Sequence, residues 1–191
     1  MTSSAKIILG LDPGLQVTGY ALLEEGHSGP RVREAGVIRV PQRGGGDGLA
    51  HRLQHLYDSV VELVEQFRPA VLAVEQLYAH YKHPRTAILM GHARGVLLLA
   101  GAQRGLQVAS FPATTVKKTI TGNGRAPKSQ MQLAVQRELG LACLPEPSDV
   151  ADALAVALCQ YHRQRAKPVG RPERHPKQHE ALDRSPEDAD D

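Results

Sequence analysis

The sequence predicts an α/β fold built on a mixed sheet, and three observations carry that prediction. Ile7, Ile8, Leu9 and Leu11 make a short, nearly continuous apolar run that stops at Pro13-Gly14, the pattern of a strand covered on both faces. Leu49, Leu53, Leu56, Val60, Leu63, Val64 and Phe67 then recur at helical spacing. Residues 70–74, all apolar, follow that helix. A strand returning after a crossover helix runs parallel to the earlier one and right-handed, so the two strands are expected side by side, about 4.8 Å apart. Asp12 ends the first run and Glu75 the second, which places both carboxylates at the sheet edge where α/β folds gather ligands.

The totals set the class. A chain of 191 residues with 41% hydrophobic content suits one globular domain plus an extension, burying roughly 70% of its surface. No charged-then-apolar leader opens it, so a cytoplasmic protein is expected. The longest apolar run, 96–102, is too short to span a bilayer. Cys143 and Cys159 fall in helical patterns without CxxC spacing and are expected to be reduced core cysteines. His51 and His55, one turn apart with no Glu between them, read as a solvated face rather than a zinc site. The net charge of +3 hides an asymmetry: residues 76–137 contain no Asp or Glu but nine Lys or Arg. A surface of one sign over that length points to a polyanion, with nucleic acid the leading partner.

The remaining elements follow in order. Residues 17–24 are rich in β-formers and are expected to hairpin back on the first strand, and a turn at 27–30 leads to a third strand over 31–40. Residues 41–48, with Gly44-Gly-Gly46, read as a flexible loop. Residues 86–104 read as a helix, apolar nearly all round, that must be buried, one side of it by a second copy of the chain. Gln107–Phe111 is a fifth strand, and 114–120 a short helix carrying Lys117 and Lys118. A glycine loop at 121–124 leads to Pro127 as the first residue of a helix whose first turn holds Lys128. With Arg125, this group favours phosphate. Residues 148–162 are the last helix, with Asp149 and Asp152 three apart on one face at its entrance. Residues 1–162 therefore read as the folded domain. The rest, 163–191, with seven bases against seven acids and no periodicity, reads as a disordered charged tail.

Each acid has a local explanation: Asp12-Pro-Gly is a good turn, Glu75 could pair on the surface, and Asp149 and Asp152 suit a helix N-terminus. Together, Asp12, Glu75, Asp149 and Asp152 end apolar elements in three separated segments. Oxygen donors without cysteine are the ligand set of a hard cation such as Mg²⁺ or Mn²⁺, and two ions about 4 Å apart suit in-line phosphodiester hydrolysis. The residues alone point to a metal-dependent nuclease.

Leu9-Gly-Leu-Asp-Pro-Gly-Leu-Gln-Val-Thr-Gly-Tyr20, Ala73-Val-Glu-Gln-Leu-Tyr78, Gly91-His-Ala-Arg-Gly95, Val116-Lys-Lys-Thr119, Gly122-Asn-Gly124 with Lys128, and Asp149-Val-Ala-Asp-Ala-Leu-Ala155 together resemble the RuvC-type Holliday junction resolvases, in that family's order. The resemblance implies a ribonuclease H-like fold, a five-stranded mixed sheet flanked by helices on both faces, and a homodimer formed through the 91–105 region. It implies an endonuclease making paired symmetric nicks in four-way DNA junctions during recombination and repair, leaving 5′-phosphate and 3′-hydroxyl ends. Asp12, Glu75, Asp149 and Asp152 would be its catalytic metal ligands, holding two Mg²⁺ or Mn²⁺ ions. Lys117 and Lys128 match DNA-contacting lysines, with Lys118 and Arg125 beside them. Tyr78 stands where the family has an aromatic, often Phe, that stacks on an unpaired base. The RuvA–RuvB branch-migration complex would be the partner. Two other readings compete: a non-catalytic junction-binding module, which divalent-metal titration discriminates, and an actin-like ATP-binding fragment, which ATP turnover without DNA would reveal.

Overall fold

The computed structural model describes residues 6–40, 48–77 and 84–166. Five strands, β1 (Ile7–Asp12), β2 (Val17–Gly26), β3 (Gly29–Arg39), β4 (Val71–Glu75) and β5 (Gln107–Phe111), form one sheet in the order β3-β2-β1-β4-β5. β1, β2 and β3 pair antiparallel, while β4 is parallel to β1 and β5 to β4. The helices are α1 (Gly48–Phe67), α2 (Pro84–Gln103), α3 (Ala113–Thr121), α4 (Lys128–Leu139) and α5 (Ser148–Ala166).

β1 and β4 are continuously apolar because they lie inside the sheet with both faces covered. On one face Leu9, Leu11, Leu72 and Val74 pack with Leu56 and Val60 of α1 and with Ala93, Leu97 and Ala100 of α2. On the other, Ile8, Val71 and Ala73 pack with Val116 of α3, Met131 and Val135 of α4, and Leu154 and Leu158 of α5. α5 is the central helix of that second layer and is buried almost without break from Val150 to Tyr161. It reaches the sheet through a glycine. A Cβ placed on Gly10 would lie 2.5 Å from the Ala153 carbonyl oxygen and 2.7 Å from the Ala157 Cβ.

Of α2, only the Ala93, Leu97 and Ala100 side is fully buried; Ile88 is 60% and Leu99 50% exposed, and the space above Gly91 and Gly95 is open. The single chain thus covers this apolar helix on one side only. Three expectations are corrected. Cys143 is exposed, because it falls in the irregular segment between α4 and α5; Cys159 alone is a core cysteine. Pro127, with ψ of 160°, caps α4 from outside instead of opening it. α5 runs on to Ala166, four residues past the expected end, with the Arg163 guanidinium over the Phe111 ring and that of Arg165 over Tyr161. Cations in a last turn also suit the helix dipole. Residues 41–47 of the loop and 167–191 of the tail lie outside the described residues. No helix among those described is long and apolar enough to cross a membrane.

Because the atoms nearest Gly10 are largely backbone, α5 must move to admit a methyl group. Gly10→Ala is expected to lower the thermal midpoint by several degrees, since overpacking costs about 1–3 kcal/mol; an unchanged midpoint in scanning calorimetry would contradict this packing.

Candidate active site

Strand parity decides where the acids point. Side chains alternate along a strand, and Ile8 and Gly10 face α5 while Leu9 and Leu11 face α1 and α2, so Asp12 faces α5. By the same alternation Val71 and Ala73 put Glu75 on that face. The last β1–β4 pair is Leu11 with Val74, which leaves Asp12 and Glu75 level with each other at the carboxyl edge. Asp12 pairs across β2 with Gly19, and Gly19 is where α5 begins its crossing: a Cβ there would lie 2.0 Å from the Asp149 carbonyl oxygen. The first turn of α5 is thereby brought against the end of β1.

The result is a cleft of about 250 Å³ with Asp12, Glu75 and Asp152 on its wall, Lys117 of α3 and Lys128 of α4 beside them, and Ala113, Val116, Met131 and Ala155 as its apolar lining. The Lys128 Nζ lies 3.4 Å from Asp152 Oδ2. Burial, and then the charges of Glu75, Asp152 and Asp149, push the Asp12 carboxyl up to about 8 against the opposing pull of Lys128. Burial and the Asp152 charge push Glu75 up to about 7, opposed by Lys117 and Lys128. Both strand-end acids are thus driven toward their protonated forms. Asp152 is raised too, chiefly by burial, with Lys128 opposing. Asp152 is the main reason that the Lys128 ammonium in turn keeps its proton above the ordinary range.

Not every expected site residue stands in the cleft. Asp149 is off its wall but near enough for its charge to act on Asp12 and Asp152. Lys118, one residue and about 100° around the helix from Lys117, faces a separate groove with Thr114, Thr115, Thr119 and Gly124. Arg125 is exposed; its backbone N–H donates to Asn123 Oδ1 at 3.0 Å. Tyr78 lies outside the described residues. The two close-approach glycines, Gly10 and Gly19, were missed as site-builders, although glycine inside a strand is itself a signal of close backbone approach.

Among the described residues, no three His, Cys, Asp or Glu side chains are gathered tightly enough to hold a metal ion as they stand. The donor set nevertheless fits a hard cation: it is carboxylate oxygen without sulfur or imidazole. Its acids carry a repulsion that added positive charge would relieve.

A mixed sheet in this order, with helices on both faces and acids converging on its carboxyl edge, defines the ribonuclease H-like class. A family model for the crossover junction endodeoxyribonuclease RuvC matches residues 8–160. The protein of that name from Rhodopirellula baltica is 51% identical over 161 residues, covering 83% of this chain and 88% of the relative. That from Moorella thermoacetica is 44% identical, covering 85% of this chain and 98% of the relative. The solved structure of Thermus thermophilus RuvC in complex with a Holliday junction substrate superposes with a TM-score of 0.73 at 27% identity, covering 83% of this chain and 95% of that one. The chain belongs to the RuvC family of crossover junction endodeoxyribonucleases.

The raised acids set the pH dependence of folding. Asp12 releases its proton near its ordinary 3.8 when unfolded and near 8 when folded. Between those values the folded state binds more protons, so stability falls as pH rises. In metal-free protein, Asp12→Asn is expected to raise the thermal midpoint at pH 8 by a few degrees, about 1 kcal/mol being worth roughly 2–4 °C in a chain of this size. The gain should shrink toward pH 4; a variant less stable than wild type at pH 8 would contradict the repulsion.

Proposed function

We propose that this chain is a Holliday junction resolvase, a divalent-metal-dependent endonuclease that nicks two strands of a four-way DNA junction symmetrically. The observation that carries the reading is the cleft in which Asp12, Glu75 and Asp152 meet Lys117 and Lys128, in a chain of this family. Asp12, Glu75 and Asp152, with Asp149 from the same helix turn, would hold Mg²⁺ or Mn²⁺, two ions per site. When bound, these ions supply Lewis acidity for activating water and stabilising the leaving oxygen, giving 5′-phosphate and 3′-hydroxyl ends.

The remaining work falls to this chain's own side chains. Asp12 and Glu75 are driven toward their protonated forms and would have to release those protons to hold a cation. Lys117 and Lys128 offset the acids' field, so that a phosphodiester can approach a cleft that would otherwise repel it. Lys128 is paired with Asp152 before DNA arrives and is mostly exposed, so it can turn to a phosphate when one is present. Lys118 and Arg125 would extend the phosphate track outward, and Tyr78 would stack on a base at the crossover. The uncovered apolar side of α2 supports a two-fold homodimer, which would present identical sites to related arms. RuvA and RuvB would deliver the junction.

On a synthetic mobile junction with Mg²⁺ or Mn²⁺, Asp12→Asn and Glu75→Gln are expected to cut at least ~100-fold more slowly. Both should bind at least as tightly as wild type, since removing negative charge does not weaken phosphate attraction. Lys117→Ala and Lys128→Ala should each weaken binding and lower the salt slope by about one. Carboxamide variants that cut at the wild-type rate would overturn the assignment. Junction binding without cutting by wild type would favour a non-catalytic module.

A further inference from the structure

Arg94 lies in the middle of α2, in the Gly91-His-Ala-Arg-Gly95 motif, yet the proposed chemistry gives it no role. α2 packs on the face of the sheet opposite the cleft. From there the half-buried Arg94 reaches to the carboxyl edge of the sheet. Its Nε donates to the Glu75 carbonyl oxygen at 3.1 Å, and its Nη2 donates to Ser110 Oγ at 2.8 Å.

Ser110 pairs in register with Val74, so the two acceptors stand on adjacent strands. Glu75 itself stands one residue past the point where β1 supports β4, because the last β1–β4 pair is Leu11 with Val74. On the β5 side the ladder continues, with the Gln76 N–H donating to the Phe111 carbonyl at 2.8 Å. Glu75 is therefore at a strand end held firmly from one side. A small twist of its main chain would swing the carboxylate on the cleft side, since side chain and carbonyl turn together about the strand axis. A guanidinium is planar and carries several donors in fixed directions, and here one such group ties the β4 end to β5.

We infer that Arg94 is a positioning residue for strand cutting: it clamps the main chain of Glu75 from behind the sheet, so that the carboxylate in front keeps one geometry toward a divalent cation. The inference rests on the reading of Glu75 as a cation-holding acid. It adds a link from α2, the helix with the uncovered apolar side, to the cleft. Outer residues that orient metal ligands typically change metal affinity or activity by roughly 10–100-fold when removed, and the effect of Arg94 should fall in that range.

The test uses the full chain, a preassembled synthetic junction and Mn²⁺, with Arg94→Met, Arg94→Lys and Ser110→Ala compared with wild type. Arg94→Met should bind the junction within about twofold of wild type. It should need roughly tenfold more Mn²⁺ for half-maximal single-turnover cutting and show a matching loss of Mn²⁺ affinity by calorimetry. Arg94→Lys should recover part of the loss, and Ser110→Ala should shift the Mn²⁺ requirement in the same direction by about two- to threefold, because it leaves the bond to Glu75 in place. An unchanged Mn²⁺ requirement in Arg94→Met would overturn the inference, as would a loss of cutting fully matched by lost junction binding. Should Arg94→Met fail to fold, Ser110→Ala decides, and an unshifted requirement overturns the clamp. A wild type that cuts nothing defeats the nuclease reading itself, whatever the variants do.

Discussion

Carboxylates that repel one another share one cleft, and much of the architecture exists to keep them there. Asp12 and Glu75 end adjacent parallel strands, and Asp152 faces them from α5. In water such groups would separate or stay screened. Here burial adds to their mutual repulsion, and both strand-end acids are driven to hold protons near neutral pH. A fold tolerates such a cluster only if the surrounding packing over-determines it. Two apolar layers on opposite faces of one sheet supply that packing.

The closeness of α5 is the second constraint, and it depends on what the strands lack. Gly10 and Gly19 have no side chain where the helix backbone passes, and Ala153 and Ala157 keep the helix surface flat at the contact. With larger residues at those positions, α5 would ride higher on the sheet and carry Asp149 and Asp152 away from Asp12. Positive charge then tempers the cluster without cancelling it. Lys117 and Lys128 arrive from two further helices, and Lys128 pairs with Asp152 at the rim. The lysines leave Asp12 and Glu75 raised, so charge relief is incomplete in the isolated chain.

Much of this could be read in the sequence, for physical reasons. Asp12 and Glu75 follow unbroken apolar runs separated by a helix-period segment, and right-handed crossover leaves one arrangement for them. Asp149 and Asp152 stand out because the helix behind them is almost wholly apolar. Other features depend on direction around a helix or on neighbours distant in sequence, which periodicity does not supply. Lys117 and Lys118 are adjacent in sequence but enter different grooves. Asp149 shares a helix face with Asp152 yet stays off the cleft wall. Cys143 lies in a stretch whose composition suits a helix, but the Gly140 C-cap ends α4 before it. Which side of α2 the chain itself covers, that of Ala93, Leu97 and Ala100, was not legible, because the helix is apolar nearly all round. Arg94 looked like one more cation of the basic stretch, and only the fold shows that it binds the main chain of Glu75.

The central claim is that the carboxylates of this cleft are a cation site held partly protonated until the cation arrives. Calorimetric titration of Mn²⁺ into wild-type protein at pH 7, run in buffers of different ionisation heat, measures this directly. With Glu75 near 7 and Asp12 near 8, binding should release about one to two protons per site, and the apparent heat should change with the buffer. Binding with no proton release, or no binding below about 10 mM even with junction present, would contradict the account, because Mg²⁺ and Mn²⁺ sites require ionised oxygen ligands.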